Sequence, residues 1–490
     1  FDDNGDTITE SWAFMPKEFY KNIEPLRSNT SGTKIYGIDG TPVSYIYDKD
    51  GDGQIEPDDG DLAWVFFGLR RGGSSYYGLD VSYKDQAPKL LWKIDETSDD
   101  FGELGQTWST PNVGYSLINV DSDIPKPVLF FGGGYATNKD TSGIGDEDSS
   151  GRGIFMIDAE SGDHLWSATA ADTSFPITDS IPSSIATMDS DSDGYTDRLY
   201  VGDTGGILWR VDMPGATTGD WTVTQLASVG SENVEADDLR FFAEPTIARA
   251  LFTETFEHTE TIDGVSTTTI HRTQRPFDAI LIGSGDRTNP LTSNTDDKIF
   301  MIKDENIITQ SFATAPDLIT VGDLANYTDN PFEGLTEGTA AFNTVALAVS
   351  QLDGWFINLV ASEEKALAKP EAIAGVGYYS TFIPTDTENQ CVVDGGKSQI
   401  YAVELNLGVE IYSQRILEHS NTIQDGITLV TVPDEEGDGE GDTDHSNTSD
   451  GKELKLLVGD TMALCDGNKN CDGLKLKTMR THLVVTEKEQ

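Results

Sequence analysis

Short runs of apolar and aromatic residues alternate along the whole chain with clusters of Gly, Asp, Ser and Asn. Val, Ile, Tyr, Phe and Trp favour strands, and the polar clusters favour tight turns. A helical period with capping residues is scarce, and the best helical candidate is Ser11–Leu26, whose two prolines keep it short. The pattern therefore predicts an all-β protein with one short helix near its beginning.

A loose repeat runs through the chain. Each copy is a strand, a tight turn rich in Asp or Gly, and a second strand that often carries an aromatic residue. The first strands of the clearest copies are Tyr77–Asp80, Phe155–Asp158, Tyr200–Asp203, Phe300–Lys303 and Tyr401–Glu404. One such unit cannot bury its own face, so stacked units indicate a propeller or a solenoid. We predict one closed β-propeller over residues 31–490, a single domain, after a leading segment 1–30 that holds the helix.

Three segments interrupt the repeat as insertions. Residues 48–59 form an acidic loop discussed below. Glu254–Gln274 is polar and rich in Thr, which predicts an extended, exposed hairpin. Asp434–Lys452 is an acidic low-complexity segment, which we interpret as a solvated excursion rather than as a third metal site.

Composition limits the classes of function. The chain has 33 Lys and Arg against 84 Asp and Glu, a formal net charge of −51, and 37% hydrophobic residues. The apolar fraction is enough for a real core, which excludes wholesale disorder. The negative charge excludes a nucleic-acid partner and disfavours anionic membranes, and it makes Ca²⁺ a natural counter-ion. No apolar run approaches the ~20 residues of a membrane span, so we expect no membrane insertion of this chain.

The cysteines and the first residue bear on the compartment. Cys465 and Cys471 flank a polar loop typical of a hairpin tip, and Cys391 lies apart. One disulfide and one spare thiol, in an oxidising compartment, is the expectation, and three reduced cysteines are the alternative. The chain begins at Phe1 rather than Met, so we interpret it as a piece cut from a longer chain.

The sharpest motif is an acidic loop with carboxylates at positions 1, 3, 5 and 9 and Gly194 at position 6. Ca²⁺ takes six to eight oxygen ligands, and alternate residues of a tightly coiled loop point inward. The predicted ligands are Asp189, Asp191, Asp193, the carbonyl of Tyr195, and Asp197. Position 12 is Tyr200 rather than Glu, so the loop is not a full EF-hand. The alternative is an ordinary Asx-rich turn.

A second acidic loop follows the predicted strand Tyr45–Tyr47 and fits the twelve-residue calcium register, with Gly53 at position 6. The predicted ligands are Asp48, Asp50, Asp52, the carbonyl of Gln54, Glu56 and Asp59. Long flanking helices are not evident, so we predict an EF-hand-like loop on a hairpin. The alternative is a solvated acidic insertion.

Catalytic signatures are absent from the sequence. There is no G-x-S-x-G, no Walker loop, no H-E-x-x-H and no G-x-G-x-x-G opening a helix, and the six His residues are scattered. We therefore predict a protein that is not an enzyme. Trp92, Trp166 and Trp209 stand at strand ends, where packing between repeats is favoured over a ligand cage.

The stretch Asp189–Asp212 closely resembles the calcium-loop signature of the PilC/PilY family, the type IV pilus tip-associated biogenesis factors. Other stretches resemble that family in the same order, and together they extend from about residue 10 to residue 410. They are Trp12–Glu18, Gly72–Asp80, Gly105–Pro111, Val128–Gly134, Gly283–Arg287, Lys298–Asp304, Gly354–Phe356 and Tyr379–Phe382.

The resemblance implies a modified seven-bladed propeller that binds Ca²⁺ through the Asp189–Asp197 loop. It also implies that calcium occupancy biases pilus extension against retraction and that the protein serves in surface adhesion. The implied partners are type IV pilus components such as minor pilins, and the surface contacted, host or abiotic, stays open. The implied location is the bacterial cell surface or pilus tip, with outer-membrane association or transit through the periplasm. The Asp48–Asp59 loop looks like an addition to the family pattern.

Two other functions compete with this one. A quinoprotein-type dehydrogenase has a propeller with similar Trp-ended repeats, but such enzymes usually carry adjacent cysteines near the cofactor, and this sequence has none. A calcium-dependent lectin or matrix adhesin overlaps with the pilus hypothesis, and a glycan-binding assay with and without chelator would separate the two.

Overall fold

The computed structural model describes fourteen stretches of the chain. They are residues 2–3, 8–29, 32, 34–140, 146–172, 177–231, 233–291, 295–373, 375–384, 396–409, 415–418, 427–433, 452–458 and 461–462. The acidic segment 434–451 and the three cysteines lie outside the described residues, so the predictions made for them stay predictions.

Most strands belong to antiparallel sheets whose members follow one another in the chain. Sheet 1 comprises Val43–Tyr47, Leu62–Gly68, Tyr76–Asp80 and Lys89–Ile94, and sheet 2 comprises Asn112–Asp121, Ile124–Gly132, Gly153–Asp158 and His164–Thr169. Sheet 3 comprises Ala186–Met188, Arg198–Gly202, Ile207–Asp212 and Thr222–Ser228, and sheet 4 comprises Thr246–Ile262, Val265–Gly283, Lys298–Asp304 and Gly354–Asn358. Sheet 5 comprises Glu371–Ile373, Val376–Ile383, Lys397–Glu404 and Ile416–Glu418, and sheet 6 comprises Ile427–Pro433, Lys452–Val458 and Thr461–Met462.

Short strands complete this arrangement. Ile319–Thr320 adds in parallel to the edge of sheet 3, and Ala325–Asn326 does the same at sheet 4. Asp2–Asp3 and Ile8–Thr9 pair with each other. The five repeat strands predicted above lie within strands of sheets 1 to 5. The exception is Asp203, which follows directly after the strand Arg198–Gly202.

Helices are few in the described residues. A 3₁₀ helix over Lys17–Asn22 continues into α1, Ile23–Ser28, so the helix predicted over Ser11–Leu26 begins later than expected, directly after Pro16. Pro25 is accommodated because it lies in the first turn of α1, where a main-chain N–H has no helical partner. A second helix, α2 over Ala340–Val349, was not predicted. Single 3₁₀ turns occupy Pro57–Asp59, Arg70–Gly72, Thr137–Asp140, Thr218–Asp220, Glu235–Asp237 and Val321–Asp323.

The core lies between successive sheets, which pack face to face. In strand Ile124–Gly132, Leu129 and Phe131 pack with aromatic residues of sheet 1, whereas Val128 and Phe130 pack with apolar residues of sheet 3. Alternate residues of a strand point to opposite faces, so sheet 2 is buried on both sides. The neighbouring strand Gly153–Asp158 is buried at every position for the same reason. The stacking explains why these strands are almost continuously apolar in sequence.

The tryptophans singled out from the sequence lie in these interfaces. Trp92 of sheet 1 donates from its indole nitrogen to the carbonyl of Ala159 beside sheet 2, at 3.0 Å. Trp209 is fully buried in the cluster shared by sheets 2 and 3, and Trp166 joins the same cluster. The prediction that they pack between repeats is confirmed.

The sheets curve around a common centre. Arg71, in the loop that follows Leu62–Gly68 of sheet 1, donates from Nη2 to the carbonyl of Thr288, in the loop that follows Val265–Gly283 of sheet 4, at 2.5 Å. Those two residues are 217 positions apart, so loops of sheets 1 and 4 meet across the centre. The predicted exposed hairpin at 254–274 is also present. Its two strands pair from Thr246 opposite Leu281 to Ile262 opposite Val265. Among the described helices, none has the length and apolar character needed to cross a membrane.

Candidate metal centre

The first acidic loop lies at the tip of a hairpin in sheet 3. It joins Ala186–Met188 to Arg198–Gly202, which pair antiparallel with Met188 opposite Arg198. Gly194 has φ +91°, a left-handed conformation that side-chain-bearing residues rarely adopt. A Cβ added there would meet nothing within 4 Å, so the need for glycine is conformational rather than steric.

The carboxylate of Asp189 coils this loop. Its Oδ1 accepts from the main-chain N–H of Ser192 at 2.6 Å and of Asp193 at 3.1 Å, and its Oδ2 accepts from Gly194 N–H at 2.8 Å. Further along, Asp193 Oδ1 accepts from the N–H of Tyr195 at 2.8 Å. Main-chain donors thus fix the carboxylates at positions 1 and 5 of the loop.

Three carboxylates converge at the loop. Oxygens of Asp189, Asp191 and Asp197 lie within 4.8 Å of one another. Asp197 is the half-buried member, and it accepts from Ser190 at both the main-chain N–H (3.1 Å) and Oγ (2.7 Å). Asp193 stands outside this group of three, although with Asp191 and Tyr195 it lines the same cleft of about 290 Å³.

Burial raises the pKa of Asp197 above its usual value, and the neighbouring Asp191 carboxylate adds to the rise. A raised pKa means that the charged form is disfavoured as the residue stands. A bound cation would reverse that preference, because it stabilises the ionised carboxylate.

The second acidic loop lies at the tip of a hairpin in sheet 1, between Val43–Tyr47 and Leu62–Gly68. The predicted grafting of the loop onto a hairpin is confirmed. Its hydrogen bonds repeat those of the first loop: Asp48 accepts from Gly51 N–H at 2.7 Å and from Gly53 N–H at 2.8 Å. Asp52 Oδ1 then accepts from the N–H of Gln54 at 2.8 Å.

The carboxylates of Asp48, Asp50 and Asp52 form the second group of three within 4.8 Å. The N–H of Gly53 is the chief cause that holds the pKa of Asp48 below its usual value. The Asp52 carboxylate is the chief cause that raises the pKa of Glu56. The negative charge of the cluster therefore acts on the pKa of Glu56, although the Glu56 carboxylate is not one of the three.

The carboxylates of Glu56 and Asp59, the other predicted carboxylate ligands of this loop, are not part of this group of three. The main-chain carbonyl of Asp59 accepts from Lys49 Nζ at 3.0 Å, and its carboxylate is not among the three that converge. Gln54 donates from Nε2 to Asp52 at 3.2 Å, which places its side chain beside the cluster.

Sequence reasoning missed Asp61. This residue is 3% exposed, and its carboxylate accepts from Lys49 N–H at 3.0 Å and from Glu56 N–H at 2.8 Å. Asp197 binds the N–H of Ser190 in the same way, so in both loops an aspartate bonds the second residue of the loop. Both aspartates directly precede a strand, and counting back from that strand would have found Asp61.

The arrangement suits a hard divalent cation. Both clusters offer carboxylate oxygens on loops that main-chain donors hold in shape, which is the chemistry that Ca²⁺ and Mg²⁺ prefer. Ca²⁺ tolerates irregular geometry and a larger shell, whereas Mg²⁺ demands a near-octahedral one. Thus the residues present fit calcium better than magnesium.

Both loops lie within residues 18–240, the part of the chain that matches the family model described as the PilY1 beta-propeller domain. Type IV pilus biogenesis factor PilY1 of Pseudomonas aeruginosa is 30% identical over 219 residues, which are 44% of this chain and 16% of that protein. A PilY1 homolog of Xylella fastidiosa is 30% identical over 214 residues, 43% of this chain and 14% of that protein. The chain thus spans a small part of these relatives.

The fold extends the likeness along the chain. The crystal structure of the Pseudomonas aeruginosa PilY1 C-terminal domain superposes with a TM-score of 0.57 at 16% identity, covering 93% of this chain and 88% of that one. The predicted all-β propeller is confirmed, and the count of seven blades stays a prediction. The family model over residues 18–240, the relatives and the fold together support a propeller of the PilY1 family.

Proposed function

We propose that this chain is a non-enzymatic, calcium-binding propeller of a type IV pilus biogenesis and adhesion protein. Calcium occupancy would regulate pilus extension against retraction, and with it surface attachment. The names of the curated relatives support the pilus part of the proposal. The expected partners are pilus components such as minor pilins, and the expected location is the cell surface or pilus tip.

The observation that carries the calcium part is the convergence of Asp189, Asp191 and Asp197 within 4.8 Å. Like charges at such distances repel, and the pKa of Asp197 is raised by burial first and by the Asp191 carboxylate in addition. A cation that takes oxygens from all three removes the repulsion. The second loop supports the same chemistry, because its hydrogen bonds repeat those of the first.

Calcium would act locally in this fold. The strand after the first loop, Arg198–Gly202, is buried at every position, so the sheet has little freedom to rearrange. A ligand shifts an equilibrium only by its differential affinity for the two states. Calcium would therefore order the loop and neutralise its charge, and a pilus partner would sense that change at the surface of sheet 3.

Isothermal titration calorimetry tests the site. The wild-type chain should take up Ca²⁺ with a Kd of roughly 10⁻⁶ to 10⁻³ M, and Mg²⁺ should compete poorly. Asp191→Ala should remove the heat assigned to the first loop. Asp99→Ala is the matched control, because it removes one exposed carboxylate outside both loops. Equal heats in wild type and Asp191→Ala would refute the proposed site.

A further inference from the structure

A basic, aromatic cleft lies where loops of sheets 1 and 4 meet at the centre of the fold. It encloses about 520 Å³. Among the described residues that line it are four cationic side chains and one carboxylate, that of Asp39. In a chain whose acidic residues outnumber basic ones 84 to 33, such a cleft runs against the composition. The cationic residues are Lys34, Arg70, Arg71 and Arg287.

Aromatic rings hold the cations in place. The guanidinium of Arg70 lies 4.5 Å from the ring centre of Trp108, and that of Arg71 lies 5.3 Å from the same ring. Lys34 Nζ lies 4.7 Å from the ring centre of Tyr36. Trp108 is itself fixed, because it is 7% exposed and packs on Phe242 with ring centres 5.4 Å apart. A cation over the face of an aromatic ring is attracted by that ring, so these contacts hold the cations at the cleft.

The charges of Arg71 and Lys34 are not neutralised within the described part of the chain. Arg71 donates to the neutral carbonyl of Thr288, and neither cation forms an ion pair with a described residue. Asp286 and Asp140, which both contact Thr288 beside the cleft, are engaged with other groups. Asp286 pairs with Arg240 at 3.0 Å and accepts from Thr288 Oγ1, and Asp140 accepts from Tyr135.

The backbone at Arg70 is strained. Its φ of +46° is left-handed, a conformation that costs energy for a residue with a side chain. Such strain persists where surrounding contacts enforce it, and it clusters at binding sites. Here the main-chain N–H of Arg70 donates to the carbonyl of Thr107 at 3.1 Å, and the side chain lies against Trp108. The strain thus accompanies the placement of a cation at the cleft.

The other residues that line the cleft indicate which groups would accompany an anion there. Pro290, Leu291 and Leu367 line the same space, and Leu291 is 62% exposed. A second cleft of about 540 Å³ shares Lys34, Tyr36 and Arg71 with the first and continues past Ser74 and Ser75. An anion with an apolar neighbour and a polar extension fits this shape.

We propose that this cleft binds the terminal carboxylate of a peptide chain whose last side chain is apolar. The Arg71 guanidinium and the Lys34 ammonium supply positive charge for the carboxylate, the prolyl and leucyl side chains contact the last residue, and the second cleft accommodates the residues before it. A carboxyl terminus on a neutral or basic segment is favoured, because the charge of −51 repels acidic partners.

Calorimetry with synthetic peptides tests the proposal. N-acetylated tetrapeptides ending in Leu, Val or Phe are compared as free acids and as C-terminal amides. The free acid should bind at least about tenfold more tightly than the amide, because charge-assisted hydrogen bonds are lost in the amide. The preference should weaken as salt is raised. Equal binding of acid and amide, or no binding of either, overturns the proposal.

Two further ligands identify the source of the anion. N-acetyl-leucine binding as tightly as the tetrapeptide would assign the cleft to a small organic acid and overturn the peptide part. Inorganic phosphate should compete weakly, because it lacks the apolar neighbour, and tighter binding of phosphate than of any peptide acid would likewise overturn it.

Variants locate the binding. Arg71→Gln and Lys34→Gln should each reduce the preference for acid over amide. Arg275→Gln is the matched control, since it removes one cation from the exposed hairpin, where Arg275 pairs with Glu254. An equal loss in Arg275→Gln would overturn the assignment. Should Arg71→Gln fail to fold, the exposed Lys34 and the comparison of acid and amide on the wild-type chain decide the question.

Discussion

Arg249 bonds Ser190 across two sheets: its Nη1 donates to the carbonyl of Ser190 at 3.3 Å. The same guanidinium donates from Nε to Asp278 at 2.9 Å, and Asp278 also accepts from Arg198 at 2.7 Å. Arg198 directly follows Asp197, so both ends of the first acidic loop are tied to one buried carboxylate of sheet 4. Ordering of the loop would therefore first change the hydrogen bonds at the boundary between sheets 3 and 4.

Calcium should raise the melting temperature of the chain. The site exists only in the folded loop, so binding stabilises by RT ln(1 + [L]/Kd), about 2.7 kcal/mol at a hundredfold excess over Kd. Differential scanning calorimetry with and without chelator measures the shift. Asp191→Ala should lose part of it, and Asp99→Ala should keep it all. A melting temperature insensitive to calcium would contradict the prediction.

Hydrogen exchange should localise the effect of calcium. We expect added protection at residues 185–212 and, if the second loop also binds, at 48–61. The sheets themselves should change little, because their strands are already packed on both faces. Protection that rises evenly over all sheets would instead indicate a global transition and would refute a local switch.

Asp61→Ala should damage the second loop and leave the first intact. Removing this buried carboxylate leaves the N–H groups of Lys49 and Glu56 without their acceptor, at a cost of about 1–3 kcal/mol each if they stay buried. Calcium titration should then show weaker binding at the second loop alone. Asp58→Ala is the control, because that carboxylate is exposed and bonds Tyr83 rather than the loop backbone. Equal losses in both variants would show that Asp61 has no special role.

Asp278→Ala should strongly destabilise the fold, by about 3–5 kcal/mol, because it leaves buried arginine charge uncompensated. Asp278 is fully buried and faces Arg198, which is also fully buried. Chemical denaturation measures the change. Glu254→Ala is the comparison, since its partner Arg275 is largely exposed and surface pairs contribute about 0–1 kcal/mol. Similar losses in the two variants would contradict this account.

Lys303 should make stability rise with pH in a defined window. Burial lowers the pKa of Lys303 to about 8, from an ordinary 10.5. Between these values the unfolded chain binds more protons than the folded chain, so the free energy of unfolding increases with pH, by up to about 1.4 kcal/mol per unit. The difference in unfolding free energy between wild type and Lys303→Met should grow from pH 8 to pH 10. Lys84→Met, at an exposed site, should show no such growth, and parallel curves for wild type and Lys303→Met would refute the prediction.

The sequence predicted the strands well because burial on both faces leaves a local record. Phe155–Asp158 is an apolar run in sequence and a fully buried strand in the structure. Helix α2 escaped because its apolar residues follow no clear helical period, and Thr339, which caps it, looks like any turn residue. The acidic loops were found because the spacing of their aspartates is local.

Other features leave no local record. Arg198 and Asp278 are 80 residues apart, and the sequence around either residue does not indicate that they pair. The central cleft draws on residues from Lys34 to Leu367, so only the folded arrangement brings its cations together. Asp61 lies between these extremes: it is local, but the twelve-residue register directs attention to Asp59 instead.

The aspartate that precedes the second strand of each hairpin has a consequence for loop length. Asp197 and Asp61 each bond the second residue of their loop and so hold its start to the sheet. The interval from Asp189 to Asp197 is shorter than the interval from Asp48 to Asp61. The longer loop includes the 3₁₀ turn Pro57–Asp59, and in it Asp52 takes the third place in the carboxylate cluster that Asp197 takes in the shorter loop. Residues can therefore be inserted or deleted ahead of the second aspartate while the turn that the first aspartate coils keeps its hydrogen bonds.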